Sequence, residues 1–274
     1  MSELQWARKW AVAAVVCLVF LSNIVSASDE SALSKDQIKQ FLLTADVVAV
    51  KSSSKGKTHP SRLTLSDGKM THDASFQEID EHKNVMRYES GETEYNFVDS
   101  YKYNIAAFQL AELLAMDDIV PVYVERKWKG RTGSLSWWLP VKMDEADRIK
   151  QHISVPDPDA WNKQMYKIRV FDQLVYDMDA NLTNVLIGED WKIYRIDFTR
   201  AFRQSKDIQQ PKDLVRCDRQ LFTKLKALDR NQLAGETKGF LTKAEVEALM
   251  VRRDKIVAAF QKLIAEKGED AILY

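Results

Sequence analysis

The residue types best suited to chemistry lie in one short stretch of the chain. Asp179 and Asn184 are spaced as D-x-x-x-x-N, and Asp197 follows one predicted hairpin later. Carboxylate and carboxamide oxygens are hard ligands of the kind that Mg²⁺ prefers, and Mg²⁺ in proteins often also contacts the phosphates of a substrate. If the fold brings these side chains together, they outline a site for phosphoryl transfer.

A β-hairpin is the element that would bring Asn184 and Asp197 together. Residues 185–187 and 193–196 are β-prone and largely apolar, and the sequence at 188–190 is typical of a turn. Asn184 and Asp197 then lie at the open ends of the two strands. We expect their side chains to face each other across the ladder, about 4.5–5.5 Å apart at Cβ. The alternative is an ordinary hairpin with polar ends and no metal.

The same stretch resembles a known group of enzymes. The spacing from Asp179 to Asn184, the strand-turn-strand and the Asp-Phe-Thr sequence at 197–199 resemble the catalytic loop and the Asp-Phe-Gly segment of protein-kinase-like enzymes. The flanking sequences are more similar to the atypical kinases, which include the phosphatidylinositol kinases, the bacterial persistence-toxin kinases and the secretory-pathway Golgi casein kinases. The likeness covers residues 46–202 and suggests a bacterial exported branch of this group.

The resemblance implies roles for these residues. Asp179 would be the catalytic base that accepts the proton of the substrate hydroxyl, and Asn184 and Asp197 would hold Mg²⁺ or Mn²⁺ together with ATP. For Asp177, we expect a place on the solvent side, at the end of the preceding helix. The alternative is that Asp177 points into the same site.

Part of the kinase pattern is absent. Such kinases pair a strand Lys, which contacts phosphate oxygens, with a Glu on the following helix. By position these residues are Gln77 and Asn104, and neither is charged. Two amides could hydrogen-bond each other but would supply no positive charge to a triphosphate. Lys57 and Thr58, in a loop rich in small residues, are the candidate phosphate contacts nearby.

The remaining patterns predict an α+β, two-lobed protein-kinase-like fold. A capping box at Ser34 and Gln37 predicts a helix over 34–43. The other predicted strands cover 46–51, 62–66, 70–77, 119–128 and 132–138, and the other predicted helices cover 101–116, 143–152, 161–178 and 244–266. Leu139-Pro140 is the predicted hinge. We expect a signal peptide at 1–28, a β-rich N-lobe with one long helix at 29–140 and a mostly helical C-lobe carrying the catalytic-loop hairpin at 141–274.

The N-terminus predicts export. Arg8 and Lys9 precede the apolar stretch 10–25, and Ser26-Ala27-Ser28 follows it. A positive start, a short apolar core and small residues at the exit are typical of a secretory signal peptide. We therefore expect a periplasmic or extracellular protein. The alternative is a protein anchored in the membrane by residues 10–25, which would be its only membrane contact.

Composition narrows the choice of partners. The formal net charge is zero, so no polybasic surface predicts binding to nucleic acid. Only Cys217 remains beyond the signal segment, which excludes an intramolecular disulfide. The expected partners are a nucleotide and a phosphate acceptor of unknown identity. The leading hypothesis is an exported ATP-dependent phosphotransferase that acts on a protein hydroxyl or a small molecule. The alternative is a catalytically inactive pseudokinase that binds a nucleotide or a partner.

Overall fold

The first half of the chain is rich in strands and the second half is rich in helices. The structure is a computed structural model that describes residues 33–51 and 60–274. The first half contains α1 (Lys35–Thr44), β1 (Asp46–Lys51), β2 (Ser61–Ser66), β3 (Thr71–Gln77), β4 (Asp80–Arg87), β5 (Thr93–Ser100), α2 (Lys102–Leu113), β6 (Tyr123–Trp128) and β7 (Arg131–Trp137). The second half contains β8 (Val141–Asp144), α3 (Glu145–Lys150), α4 (Pro158–Val175), β9 (Val185–Gly188), β10 (Ile193–Arg195), α5 (Arg219–Ala227), α6 (Arg230–Glu236), α7 (Lys243–Lys267) and α8 (Glu269–Ile272). The predicted α+β class is confirmed.

Several local predictions are confirmed. The sequence could predict these elements because the patterns that indicate them, such as helix caps and turns, span only a few residues. The Ser34 hydroxyl accepts the Gln37 N–H, and the Gln37 side chain accepts the Ser34 N–H at 2.8 Å, which completes the capping box of α1. The three predicted N-terminal strands correspond to β1, β2 and β3, and the later hairpin corresponds to β6 and β7. The predicted C-terminal helix corresponds to α7, which has its own capping box at Thr242 and Glu245.

A five-stranded antiparallel sheet with the order β1-β2-β3-β7-β6 carries the first half of the core. Alternating residues of its strands are buried, including Leu63 and Leu65 on β2 and Ala74 and Phe76 on β3. This alternation is the period expected of a sheet with one face on the core. Helix α2 contacts β6 and β7, and most of its residues are buried. The sheet and α2 therefore form one hydrophobic unit.

The hairpin of β4 and β5 was not predicted. Between residues 78 and 98, charged and amide side chains would occupy both faces of a strand, and the sequence shows no apolar alternation that indicates one. In the structure, β4 and β5 form a two-stranded sheet, in register from Asp80–Ser100 to Arg87–Thr93. Most of its residues are exposed, with Phe97 as a buried exception. The hairpin therefore depends on contacts with distant parts of the chain.

The second half carries a small sheet with the order β10-β9-β8. The predicted hairpin over 185–196 is confirmed as β9 and β10. The helix predicted over 143–152 begins later, at Glu145, because Asp144 caps it and Met143 belongs to β8. Helix α7 packs against α4, α5, α6 and α8, which gives this half its helical core.

Some predictions fall on residues that the structure does not describe. The signal segment 1–28, the alternative anchor 10–25, and the phosphate-contact candidates Lys57 and Thr58 lie outside the described residues. Within residues 33–51 and 60–274, no helix has both the length and the apolar character needed to cross a bilayer. The lobe boundary at residue 140 stays a prediction.

Candidate functional site

A cleft of about 650 Å³ lies between residues of the five-stranded sheet and residues of the β8–β10 sheet. Apolar side chains line much of it: Pro121, Trp137, Trp138, Leu139, Val141, Met143, Leu186 and Ile196. Uncharged polar side chains from the large sheet also line it: Ser75, Gln77, Tyr123, Ser134 and Ser136. A cleft of this size with apolar walls and a few convergent polar groups has the form of a small-molecule site.

Asn184 and Asp197 both line this cleft, but they do not pair directly across the hairpin. The register pairs Arg195 with Val185, and the Ile196 N–H donates to the Asn184 carbonyl at 3.0 Å. The expectation that Asn184 and Asp197 face each other in the ladder is therefore wrong, because Asp197 lies one residue beyond the paired position. Its φ of 59° is left-handed, so the backbone leaves the strand direction at this residue.

Three contacts fix the Asp197 segment. The Thr199 hydroxyl donates to Asp197 Oδ1 at 3.1 Å, and the Tyr123 hydroxyl accepts the Asp197 N–H at 3.5 Å. The Phe198 N–H donates to Asn104 Oδ1 at 2.7 Å. Burial raises the pKa of Asp197, and the negative charge of Asp179 acts in the same direction. A nearby cation would relieve this unfavourable burial of charge.

Asp179 lies in an exposed loop and is not among the residues that line the cleft. The Asn184 Nδ2 group donates to the Asp179 carbonyl at 3.2 Å, so the two predicted site residues are linked directly. The Asp179 N–H donates to Asp177 Oδ1 at 3.0 Å. The loop therefore holds Asp179 beside Asn184, with its carboxylate in the electrostatic field of Asp197.

Asp177 is buried, with 2% of its surface exposed, so its expected place on the solvent side is wrong. Its carboxylate accepts a hydrogen bond from the guanidinium of Arg195, which also donates to Asp172 Oδ1 at 3.0 Å. Burial raises the pKa of Asp177, and the charge of Arg195 opposes that rise. Asp177 therefore acts as a buried bridge between Arg195 on β10 and the backbone of Asp179.

The predicted hydrogen bond between two amides is present. Asn104 Nδ2 donates to Gln77 Oε1 at 2.8 Å and to Ser134 Oγ at 3.3 Å. Asn104 is 1% exposed, and its Oδ1 accepts the Phe198 N–H. One side chain on α2 thus connects β3, β7 and the Asp-Phe-Thr segment. The contact is uncharged, as the sequence predicted.

The donor set fits a hard divalent cation. With Nδ2 of Asn184 engaged, Oδ1 is the atom of that side chain that could bind a metal, and Asp197 offers a carboxylate in the same cleft. Oxygen donors of this kind suit Mg²⁺ and Mn²⁺, which usually complete their coordination with water and phosphate oxygens. Among the described residues, no group of three or more His, Cys, Asp or Glu is arranged as a metal site.

Sequence reasoning missed the residues that support this site. Tyr123 and Thr199 contact Asp197, and Arg195 is a buried charge within an otherwise apolar strand. A signal for Arg195 was available, because it shares the strand face of the buried Ile193. No comparable pattern in the sequence identifies Tyr123 as a neighbour of Asp197.

Comparisons with known proteins find similar structures but no similar sequences. No family model and no curated protein matches the sequence. A solved structure of hydra Fam20 with sugar is 15% identical, with a TM-score of 0.62 over 87% of this chain and 91% of that chain. The Golgi casein kinase with Mn/ADP bound is 13% identical, with a TM-score of 0.61 over 87% of this chain and 78% of that one.

A bacterial kinase is also similar. The Helicobacter pylori proinflammatory kinase CtkA is 10% identical, with a TM-score of 0.50 over 82% of this chain and 98% of that chain. Identities this low establish a shared fold and nothing finer. The predicted resemblance is confirmed at that level: this chain has an α+β fold similar to that of these atypical kinase structures.

Proposed function

We propose that this chain is an exported, ATP-dependent phosphotransferase of the atypical kinase type. The observation that carries the proposal is the presence of Asn184 and Asp197 in one cleft, with Asp179 bonded to Asn184 through its main chain. The acceptor is a hydroxyl of a protein or of a small molecule. Two observations support this assignment. The fold is similar to that of kinases, and the three residues have the order and spacing of a kinase catalytic loop and metal-binding segment.

ATP is the proposed phosphate donor. The apolar residues of the cleft suit a nucleobase, and Trp138 and Leu139 in the connection after β7 are among them. The Golgi casein kinase has been solved with Mn/ADP bound, which supports Mg²⁺ or Mn²⁺ as the accompanying ion. Asn184 and Asp197 would hold that ion. When bound, it would neutralise phosphate charge. Lys57 and Thr58 are the proposed contacts of the phosphates.

Asp179 is the proposed general base. Its carboxylate accepts the proton of the acceptor hydroxyl while the hydroxyl oxygen attacks the γ-phosphorus. The bond between the γ-phosphorus and the bridging oxygen breaks, and ADP leaves with the electron pair. Asp177 and Asn184 keep the loop in place through their bonds to the Asp179 N–H and carbonyl.

Export is proposed from the N-terminal pattern alone. Arg8 and Lys9, the apolar stretch 10–25 and the small residues at 26–28 form a secretory signal. N-terminal sequencing of protein recovered from the exported fraction tests it. A first residue near Asp29 would support cleavage, whereas an intact Met1 in the membrane fraction would support the anchored alternative.

A second function is favoured by one observation. The Asn104–Gln77 bond takes the place of the charged Lys–Glu pair, and a neutral pair binds a triphosphate less strongly. The alternative function is therefore a pseudokinase that binds a nucleotide or a partner without transferring phosphate.

Thermal unfolding of the full-length chain with ATP and Mn²⁺ or Mg²⁺ tests both functions. A ligand at a hundred times its dissociation constant should add about 2.7 kcal/mol to the free energy of unfolding. Loss of this shift in Asp197→Ala, together with ATP turnover that Asp179→Asn abolishes, would support the kinase. A shift without turnover would support the pseudokinase. No shift with either ion would refute both the kinase and a pseudokinase that binds a nucleotide.

A further inference from the structure

The hairpin of β4 and β5 reaches the segment that follows Asp197. Glu94, on β5, accepts hydrogen bonds from the guanidinium groups of Arg200 and Arg203, one on each carboxylate oxygen. The Tyr88 hydroxyl donates to Glu94 Oε2 at 2.6 Å. One carboxylate of a hairpin with few buried side chains thus contacts two arginines of the segment that follows Asp197.

Arg200 is held on its other side by the catalytic loop. Its carbonyl accepts the Met178 N–H at 3.2 Å, directly before Asp179. Thr199, which donates to Asp197, uses its own carbonyl to accept the Ser100 N–H at 2.9 Å at the end of β5. The hairpin therefore contacts two adjacent residues of this segment: Ser100 bonds to Thr199, and Glu94 bonds to Arg200.

The contact is sheltered from solvent. The side chains of Glu94, Arg200 and Arg203 are 14%, 18% and 11% exposed. The Arg200 guanidinium also lies over the ring of Phe97, at 4.4 Å from its centroid. Charge-assisted hydrogen bonds in such an environment are stronger and better defined than surface ion pairs.

Glu94 separates two like charges. Burial raises the pKa of Glu94, but the Tyr88 hydrogen bond and the two arginines outweigh this effect and hold it below its ordinary value. Burial lowers the pKa of Arg203, and the charge of Arg200 contributes in the same direction. Without the carboxylate, two partly buried guanidinium groups would repel each other directly after the metal-binding segment.

We propose that Glu94 is a positioning residue for the metal site: through Arg200 it fixes Asp197 and the Asp179 loop in their relative places. This inference rests on the proposed function, because it assumes that Asp197 binds a divalent cation. A purely structural anchor would affect the stability of the hairpin alone. A positioning residue affects the affinity of the site for the ion as well.

The test measures Mn²⁺ alone, by isothermal titration calorimetry on the folded full-length chain. We expect Glu94→Gln to weaken Mn²⁺ binding by about tenfold to a hundredfold, the range that corresponds to one lost charge-assisted hydrogen bond. Glu92→Gln, an exposed neutralisation on the same hairpin, is the matched control and should leave the affinity unchanged. In Glu94→Gln and Arg200→Gln combined, the two effects should be strongly non-additive, because both remove one linkage.

The outcomes separate the inference from the proposed function. If the wild type binds Mn²⁺, Asp197→Ala does not, and Glu94→Gln binds as the wild type does, the inference is overturned and the metal site stands. If the wild type itself does not bind Mn²⁺, the proposed metal site is refuted, and the inference that depends on it is refuted with it. Should Glu94→Gln not fold, Tyr88→Phe decides. It removes the hydroxyl that donates to Glu94 Oε2 and accepts from Arg200 Nη2 at 3.1 Å, and it leaves both charges in place. Wild-type affinity in that variant would also overturn the inference.

Discussion

Asn104 Nδ2 donates a 2.8 Å hydrogen bond to Gln77 Oε1, and these are the two amides that the sequence resemblance predicts at the positions of the kinase Lys and Glu. Asn104 also accepts the Phe198 N–H, so it links Gln77 to the Asp-Phe-Thr segment. The pair lacks the positive charge that steadies a triphosphate.

The first prediction restores the charge. We expect Gln77→Lys combined with Asn104→Glu to tighten ATP binding about tenfold, equivalent to about 1.4 kcal/mol, because the ammonium group would face the phosphates and pair with the new carboxylate. Titration calorimetry with ATP and Mg²⁺ measures the change. Gln77→Lys alone is the control: it should destabilise the fold, because its ammonium group would lack the carboxylate. Unchanged affinity in the double variant would show that phosphates do not lie beside Gln77.

The second prediction concerns the buried bridge. We expect Asp177→Asn to lower the free energy of unfolding by about 3–5 kcal/mol, because it removes one carboxylate from the buried charge of Arg195. Asp270→Asn removes a carboxylate from Arg219, but the Asp270 side chain is 98% exposed, so this control should cost less than about 1 kcal/mol. Urea unfolding of both variants measures the difference. Equal losses would contradict a structural role for Asp177.

The third prediction tests the close approach of β7 to β3. A Cβ at Gly133 would lie 2.4 Å from the Gln77 carbonyl oxygen and 2.9 Å from the Phe76 ring. We expect Gly133→Ala to destabilise the fold by about 1–3 kcal/mol, because the overpacked strands must shift. At Gly235, in α6, an added Cβ meets nothing within 4 Å. Gly235→Ala should instead stabilise the protein by about 0.5–1 kcal/mol, and chemical denaturation distinguishes the two.

The fourth prediction concerns stability at low pH. Burial raises the pKa of Asp73, but hydrogen bonds from Lys51, Thr64 and Arg62 outweigh it and lower the pKa to about 2. Because the folded-state pKa lies below the unfolded value, Asp73 contributes stability above about pH 4, and this contribution is lost as the pH falls from about 4 to about 2.

Asp73→Asn tests this directly. The variant should be less stable than the wild type at pH 7, and the two urea midpoints should converge near pH 2, where the wild-type carboxylate is protonated. A difference in midpoint that stays constant from pH 7 to pH 2 would contradict the assignment, because it would arise from packing and not from ionisation.

The sequence by itself determined the elements whose signals are local. The hairpin of β9 and β10 follows from two β-prone, largely apolar runs around a turn, and α1 follows from its capping box at Ser34. The resemblance of the segment containing Asp179, Asn184 and Asp197 to a kinase catalytic loop, together with the order of predicted strands and helices, predicted the kinase-like fold. Helix caps and hairpin turns depend on interactions within a few residues, so the sequence predicts them without information about the tertiary fold.

Only the tertiary structure decided how these elements are held together. The β4–β5 hairpin has no apolar periodicity of its own, and its anchor joins Glu94 to Arg200, 106 residues away. The sequence predicts Asp177 at the solvent-exposed end of a helix. The fold instead buries it beside Arg195, whose guanidinium donates to its carboxylate. Ion pairs between distant residues leave no periodic signal in the sequence. Their partners become neighbours only when the hydrophobic core closes.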